Sequence, residues 1–143
     1  MKTKVDRILG AVLIFMLAVM TLDVLWGVFT RYVMADQASW SEELARFLLI
    51  WIGVLGAAYA SGQRMHLSID LLANKPVRLI AALIILFALA VFVVGGMQLV
   101  LLTAELGQTS PALGVPMSLV YAVVPISGLL IIFYRLPDLT APR

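Results

Sequence analysis

Four apolar blocks, each long enough to cross a hydrocarbon core as a helix, decide what this sequence can fold into. They run from about 8 to 33, 40 to 60, 76 to 106 and 117 to 135. A membrane-spanning helix needs about 20 consecutive apolar residues. Of the 143 residues, 63% are hydrophobic and 13% charged. A soluble domain carries about a quarter charged residues to wet its surface. This chain therefore predicts one all-α membrane domain over residues 1–143.

The blocks differ in how they begin and end. The first follows the basic start Lys2, Lys4 and Arg7 and closes on Arg31 and Tyr32. That is too long for a secretory signal and lacks a small-residue cleavage site, so a retained signal-anchor helix is expected. The second begins at Trp40, with Ser39 or Ser41 as N-cap. Glu42 and Glu43 lie in its first turn, where the helix dipole favours negative charge. Residues 61–75 are the most polar interior stretch yet keep Leu67, Ile69, Leu71 and Leu72. They predict a short segment lying at the membrane surface. Pro76 suits the first turn of the third helix. That block would extend about 45 Å, so it must tilt or project into water. Residues 107–116 hold two glycines and two prolines and read as a loop. Pro125 predicts a kink in the fourth helix.

Short connections imply an up-down-up-down course with both termini on one side. Lys2, Lys4, Arg7, Arg64, Lys75, Arg78, Arg135 and Arg143 fall on the side of the termini, against Arg31 and Arg46 on the other. The positive-inside rule then places both termini in the cytoplasm. Trp40 suits the interfacial aromatic belt on the outward side.

Several chemistries are excluded by residue supply. There is no cysteine and one histidine, so neither a thiolate centre nor bis-histidine haem is available. Asp70 is the one acid of the 61–75 segment, too few carboxylates for a hard-cation site. No nucleophile is set beside a base. No enzymatic activity, cofactor or metal is expected. A net charge of +2 is too small and scattered for nucleic-acid binding.

Asp23 is the clearest ionisable group inside a span, which marks either a transport pathway or a structural pair. It lies nine residues before Tyr32, and Arg46 lies six after Trp40, depths of about 13 and 9 Å in an antiparallel pair. An Asp23–Arg46 contact is expected on the structural reading, with Glu42 competing for Arg46 one turn away. A small exporter working around Asp23 is the alternative. In the second block Gly53 with Ala57, and Gly56 with Ala60, allow close helix approach, read as packing inside the bundle.

The ordered set Arg31-Tyr32, Trp40-Ser41-Glu42-Glu43-Leu44-Ala45-Arg46, Trp51, Gly56-Ala57, His66 and Ile69-Asp70 resembles the small membrane subunit of TRAP transporters, the DctQ-like family. Leu113-Gly114-Val115-Pro116, Tyr121 and Pro125 extend the likeness over most of the chain. The resemblance implies a tripartite, sodium-driven importer of organic acids in a bacterial cytoplasmic membrane. In it a large membrane subunit moves the substrate by an elevator mechanism and a periplasmic solute-binding protein delivers it. The small subunit would be the static scaffold, in contact with the large subunit and with membrane lipids. The segment from Trp40 to Arg46 and the loop 107–116 would then face the periplasmic partner. The alternative for Glu42, Glu43 and Arg46 is helix capping with an intrahelical ion pair. His66 and Asp70, one helical turn apart if that segment is helical, would lock the cytoplasmic loop to the bundle or to the large subunit. Asp23 is not part of the resemblance. A third possibility is an anchoring protein for an unrelated complex.

Overall fold

A computed structural model describes residues 2–36, 38–63 and 77–140. The expected surface segment with His66 and Asp70 lies outside these residues. Of the described residues 86% are helical, and among them four helices are long and apolar enough to cross a membrane. Helix α1 covers Lys2–Tyr32 and α2 covers Ser39–Gln63. The third span is continuous but not uniform. It passes from α3 (Val77–Phe87) through a π-helical stretch (Ala88–Gly95) into α4 (Gly96–Glu105). The fourth divides into α5 (Met117–Tyr121) and α6 (Val123–Thr140).

Close approaches fix how the spans run. Gly10 faces the Tyr59 ring and Gly27 faces Ser41, so α1 and α2 are antiparallel. Trp51 bonds to Val120 and Gly62 lies under the Tyr134 ring, so α2 and the fourth span are parallel. Gly96 packs on Pro125 and Gly128 on Phe92, which makes the third and fourth spans antiparallel. The result is an up-down-up-down bundle. Its buried centre is built from Leu9, Leu55, Val123 and Tyr134, flanked by Trp51, Tyr59 and Leu130. Large side chains such as Phe15, Leu25, Leu83 and Leu129 point outward, as expected where the solvent is lipid.

Three local features depart from expectation. The helix of the fourth span is interrupted at Ala122, ahead of Pro125, whose ring leaves no N–H to bond the carbonyl of Tyr121. The π-helical stretch had no sequence signal beyond Gly95-Gly96. It lies where Phe92 and Val93 close on Gly128, at 2.7 and 3.0 Å from where a Cβ there would stand. The small residues of α2 do not all pack inside the bundle. A Cβ on Gly53 or Gly56 would meet no atom within 4 Å. That face of α2 is uncovered by the described residues.

The 107–116 loop is an ordered turn. Gly107, with φ +60°, ends α4 in a Schellman motif. Its amide bonds Ala104 O at 3.1 Å and the Gln108 amide bonds Thr103 O at 3.2 Å. Thr109 and Pro116 form an isolated bridge, and the Ser110 amide bonds Val115 O at 2.9 Å. The chain thus re-enters the bundle at Met117 with the amides of Gly107, Gln108, Ser110, Gly114 and Met117 already bonded to backbone carbonyls.

Candidate functional site

The singled-out residues that the structure describes lie toward the end of the bundle opposite the termini, where α1 ends, α2 begins and the 107–116 loop crosses. Glu43 organises this distal cap. It is 9% exposed, and its Oε2 accepts hydrogen bonds from the amides of Ala112 at 3.0 Å and Leu113 at 2.8 Å. Two successive N–H groups aimed at one carboxylate oxygen form a small anion-binding concavity. Charge-assisted bonds of this kind are about twice as strong as neutral ones. Glu43 therefore ties the loop to α2, and this replaces the expectation that it caps its own helix. Glu42 alone stays in the first turn of α2 as an acidic group.

Ser41 also departs from the expected cap. It is buried inside α2, and its hydroxyl donates to the backbone carbonyl of Asp23 at 3.0 Å. That bond clips α1 to α2. About two turns farther from the helix start than Glu43, and deeper, Trp51 donates its indole N–H to the carbonyl of Val120 at 3.0 Å. This carbonyl lies at the α5–α6 break. Ser41, Glu43 and Trp51 thus tie α2 in turn to α1, to the loop and to the fourth span. No expectation from the sequence singled out this role of Trp51. The signal available was an indole N–H inside a span, which must find an acceptor.

The expected Asp23–Arg46 contact is not made. Asp23 is 6% exposed and neither carboxylate oxygen has a hydrogen-bond partner. Arg46 is exposed and faces the loop instead, lining an open cleft of about 320 Å³ with Ser39, Glu42, Glu43, Pro111 and Ala112. Depth was matched correctly, but helical phase was not. Ser41 and Ala45 face α1, lining a second cleft of about 280 Å³ with Gly27 and Arg31. Five residues beyond Ser41, Arg46 has turned about 140° away. Arg31 and Trp40 are exposed at the rim, and His66 and Asp70 fall outside the described residues.

The cap is a rigid polar surface with no bond-making constellation among the residues it assembles. Comparison with known proteins identifies the context. Residues 20–140 match the family described as tripartite ATP-independent periplasmic transporters, DctQ component. The chain is 28% identical over 134 residues to a putative TRAP transporter small permease protein of Haemophilus influenzae, covering 89% of this chain and 82% of that one. It is 29% identical over 127 residues to the sialic acid TRAP transporter small permease protein SiaQ of Vibrio cholerae, covering 85% of this chain and 70% of the relative. It is also 33% identical over 112 residues to the isethionate TRAP transporter permease protein DctMQ of Oleidesulfovibrio alaskensis, covering 73% of this chain but 18% of that longer protein. With most of its length matched in these ways, the chain belongs to the DctQ family of TRAP transporter small permease components.

Proposed function

We propose that this chain is the static scaffold of a sodium-driven organic-acid importer, binding and stabilising a large elevator-type transport subunit. In this reading it resides in a bacterial cytoplasmic membrane with both termini in the cytoplasm. Its distal cap faces the periplasm and a solute-binding protein. The observation that carries the reading is how three polar side chains of α2 are used. Ser41, Glu43 and Trp51 are all spent on holding backbone of neighbouring elements. A carrier, by contrast, keeps such groups along a pathway.

The long DctMQ relative supports a large membrane partner, since a segment like this chain there forms part of one larger permease polypeptide. Relatives named for sialic acid and isethionate support an organic-acid substrate class. The distribution of basic residues supports the orientation, with eight on the side of the termini and two on the other. Arg31, Trp40, Glu42 and Arg46, exposed around the Glu43-held loop, supply the surface a periplasmic partner would touch.

The test is a mild-detergent pull-down of the tagged chain from its native membrane. Recovery of a much larger multi-spanning protein at equal stoichiometry is expected. Recovery of the chain alone, with transport in vesicles that is lost on Asp23→Asn, would replace the scaffold by a small exporter.

A further inference from the structure

At the end of the bundle near the termini, α2 and α6 enclose a cleft of about 280 Å³ lined by Ala57, Ala60, Ser61 and Arg135. Arg135 is held there from two sides. Its Nε donates to Ser61 Oγ at 3.1 Å, and its Nη1 lies 3.3 Å from Asp138 Oδ2. The two charged side chains keep 15% and 13% of their surface exposed. These bonds use two of the five N–H donors of a guanidinium, and its planar fork suits a phosphate.

The depth of the cleft is set by α2. Ser61 follows Ser41 by 20 residues in one helix, about 30 Å of rise and the thickness of a hydrocarbon core. With Trp40 and Ser41 at the distal boundary, Ser61 and Arg135 stand at the opposite headgroup layer. From there the small-residue face of α2 leads inward through Ala57 to Gly53, two turns closer to the bilayer centre. Ala57 is exposed, and nothing lies within 4 Å of a Cβ on Gly53 or Gly56.

We propose that this cleft seats one aminophospholipid of the leaflet on the side of the termini. Its phosphate sits on Arg135, its ammonium on Asp138, and one acyl chain lies along Ala57 and Gly53. The charge pattern selects this occupant. A zwitterion with a primary ammonium opposes both members of the Arg135–Asp138 pair with the correct sign. A choline headgroup has no N–H to donate to Asp138, and a glycerol headgroup brings no cation. An apolar helix laid in the same groove would cover the ion pair without bonding it, which is costly in a membrane.

Native mass spectrometry of the delipidated full chain, in the complex it purifies with, tests this. Dioleoyl phosphatidylethanolamine, phosphatidylcholine and phosphatidylglycerol are supplied at equal concentration. One phosphatidylethanolamine should be retained, preferred over the other two by roughly tenfold, the scale of one charge-assisted hydrogen bond. Asp138→Asn, which leaves the Arg135–Ser61 bond in place, should abolish the preference over phosphatidylcholine. Arg135→Gln should weaken all three lipids. Ala57→Phe, a change on an exposed position, should expel the retained lipid. Equal retention of the three lipids, unaltered by Asp138→Asn, would overturn the proposal. So would loss of a co-purifying membrane protein on Ala57→Phe with phosphatidylethanolamine still bound, since the groove would then seat a partner helix.

Discussion

Two carboxylates, both buried near the distal end, meet opposite fates. Glu43 faces the 107–116 loop and receives two backbone amides. Asp23 lies in the α1–α2 seam, where only its backbone carbonyl is bonded, by Ser41, while its carboxylate oxygens have no partner. They differ by what lies across from them. A loop has amides to spare, because its N–H groups are not committed to a helix. A facing helix has spent its backbone groups internally and offers only side chains. Burial alone therefore does not tell a structural acid from an idle one.

Removing each acid should move stability in opposite directions. Glu43→Ala takes the shared acceptor from the amides of Ala112 and Leu113 and should destabilise by about 1.5–2 kcal/mol. It should also speed hydrogen exchange at Ala112 and Leu113, while Glu43→Gln, which keeps one acceptor, should cost about 1 kcal/mol. If exchange at those two amides did not change in Glu43→Ala, the loop would be held by Gly107 and Ser110 alone. Asp23→Leu removes a polar group that makes no bond and should raise stability by about 1–2 kcal/mol in detergent unfolding. A loss of stability instead would mean that Asp23 has a partner in the membrane complex.

The contrast also shows how far the sequence could be read. Four spans and their alternation follow from apolar length, since nothing else pairs so many apolar residues with so few charges. The 107–116 turn follows from Gly107, Gly114, Pro111 and Pro116. The roles within the cap were not legible. The partners of Glu43 are backbone amides 69 and 70 positions away, and any residue type carries an amide. Arg46 was matched to Asp23 by depth, which a sequence provides. Helical phase across a seam depends on which face of α2 meets α1, and that was set by Gly27 and Ser41. The open face at Gly53 and Gly56 was read as internal packing because small residues look the same wherever they pack.

Between these extremes lies Trp51, whose bond to Val120 joins α2 to the break between α5 and α6. Trp51→Phe keeps most of the ring but leaves that carbonyl short of a donor. A loss of about 1 kcal/mol is expected, with the effect on exchange confined to the α5–α6 junction rather than the loop. Equal loosening of the loop would mean that α5 and the loop move as one unit, and the division between the two seams would blur.

The smallest effect probes the α1–α2 seam itself. A Cβ on Gly27 would stand 3.0 Å from Ser41 Oγ, and 3.8 Å from Ser41 Cβ. Ser41→Ala loses one hydroxyl bond to the Asp23 carbonyl, worth about 0.5–1 kcal/mol, but opens that space. Gly27→Ala should therefore cost about 1 kcal/mol beside Ser41 and close to nothing beside alanine, a coupling measurable by a double-mutant cycle. Additive effects would mean that α1 can slide away from α2 without resistance. Asp23 would then lie in a loose seam, and its lack of a partner would reflect room to escape rather than a facing helix with nothing to give.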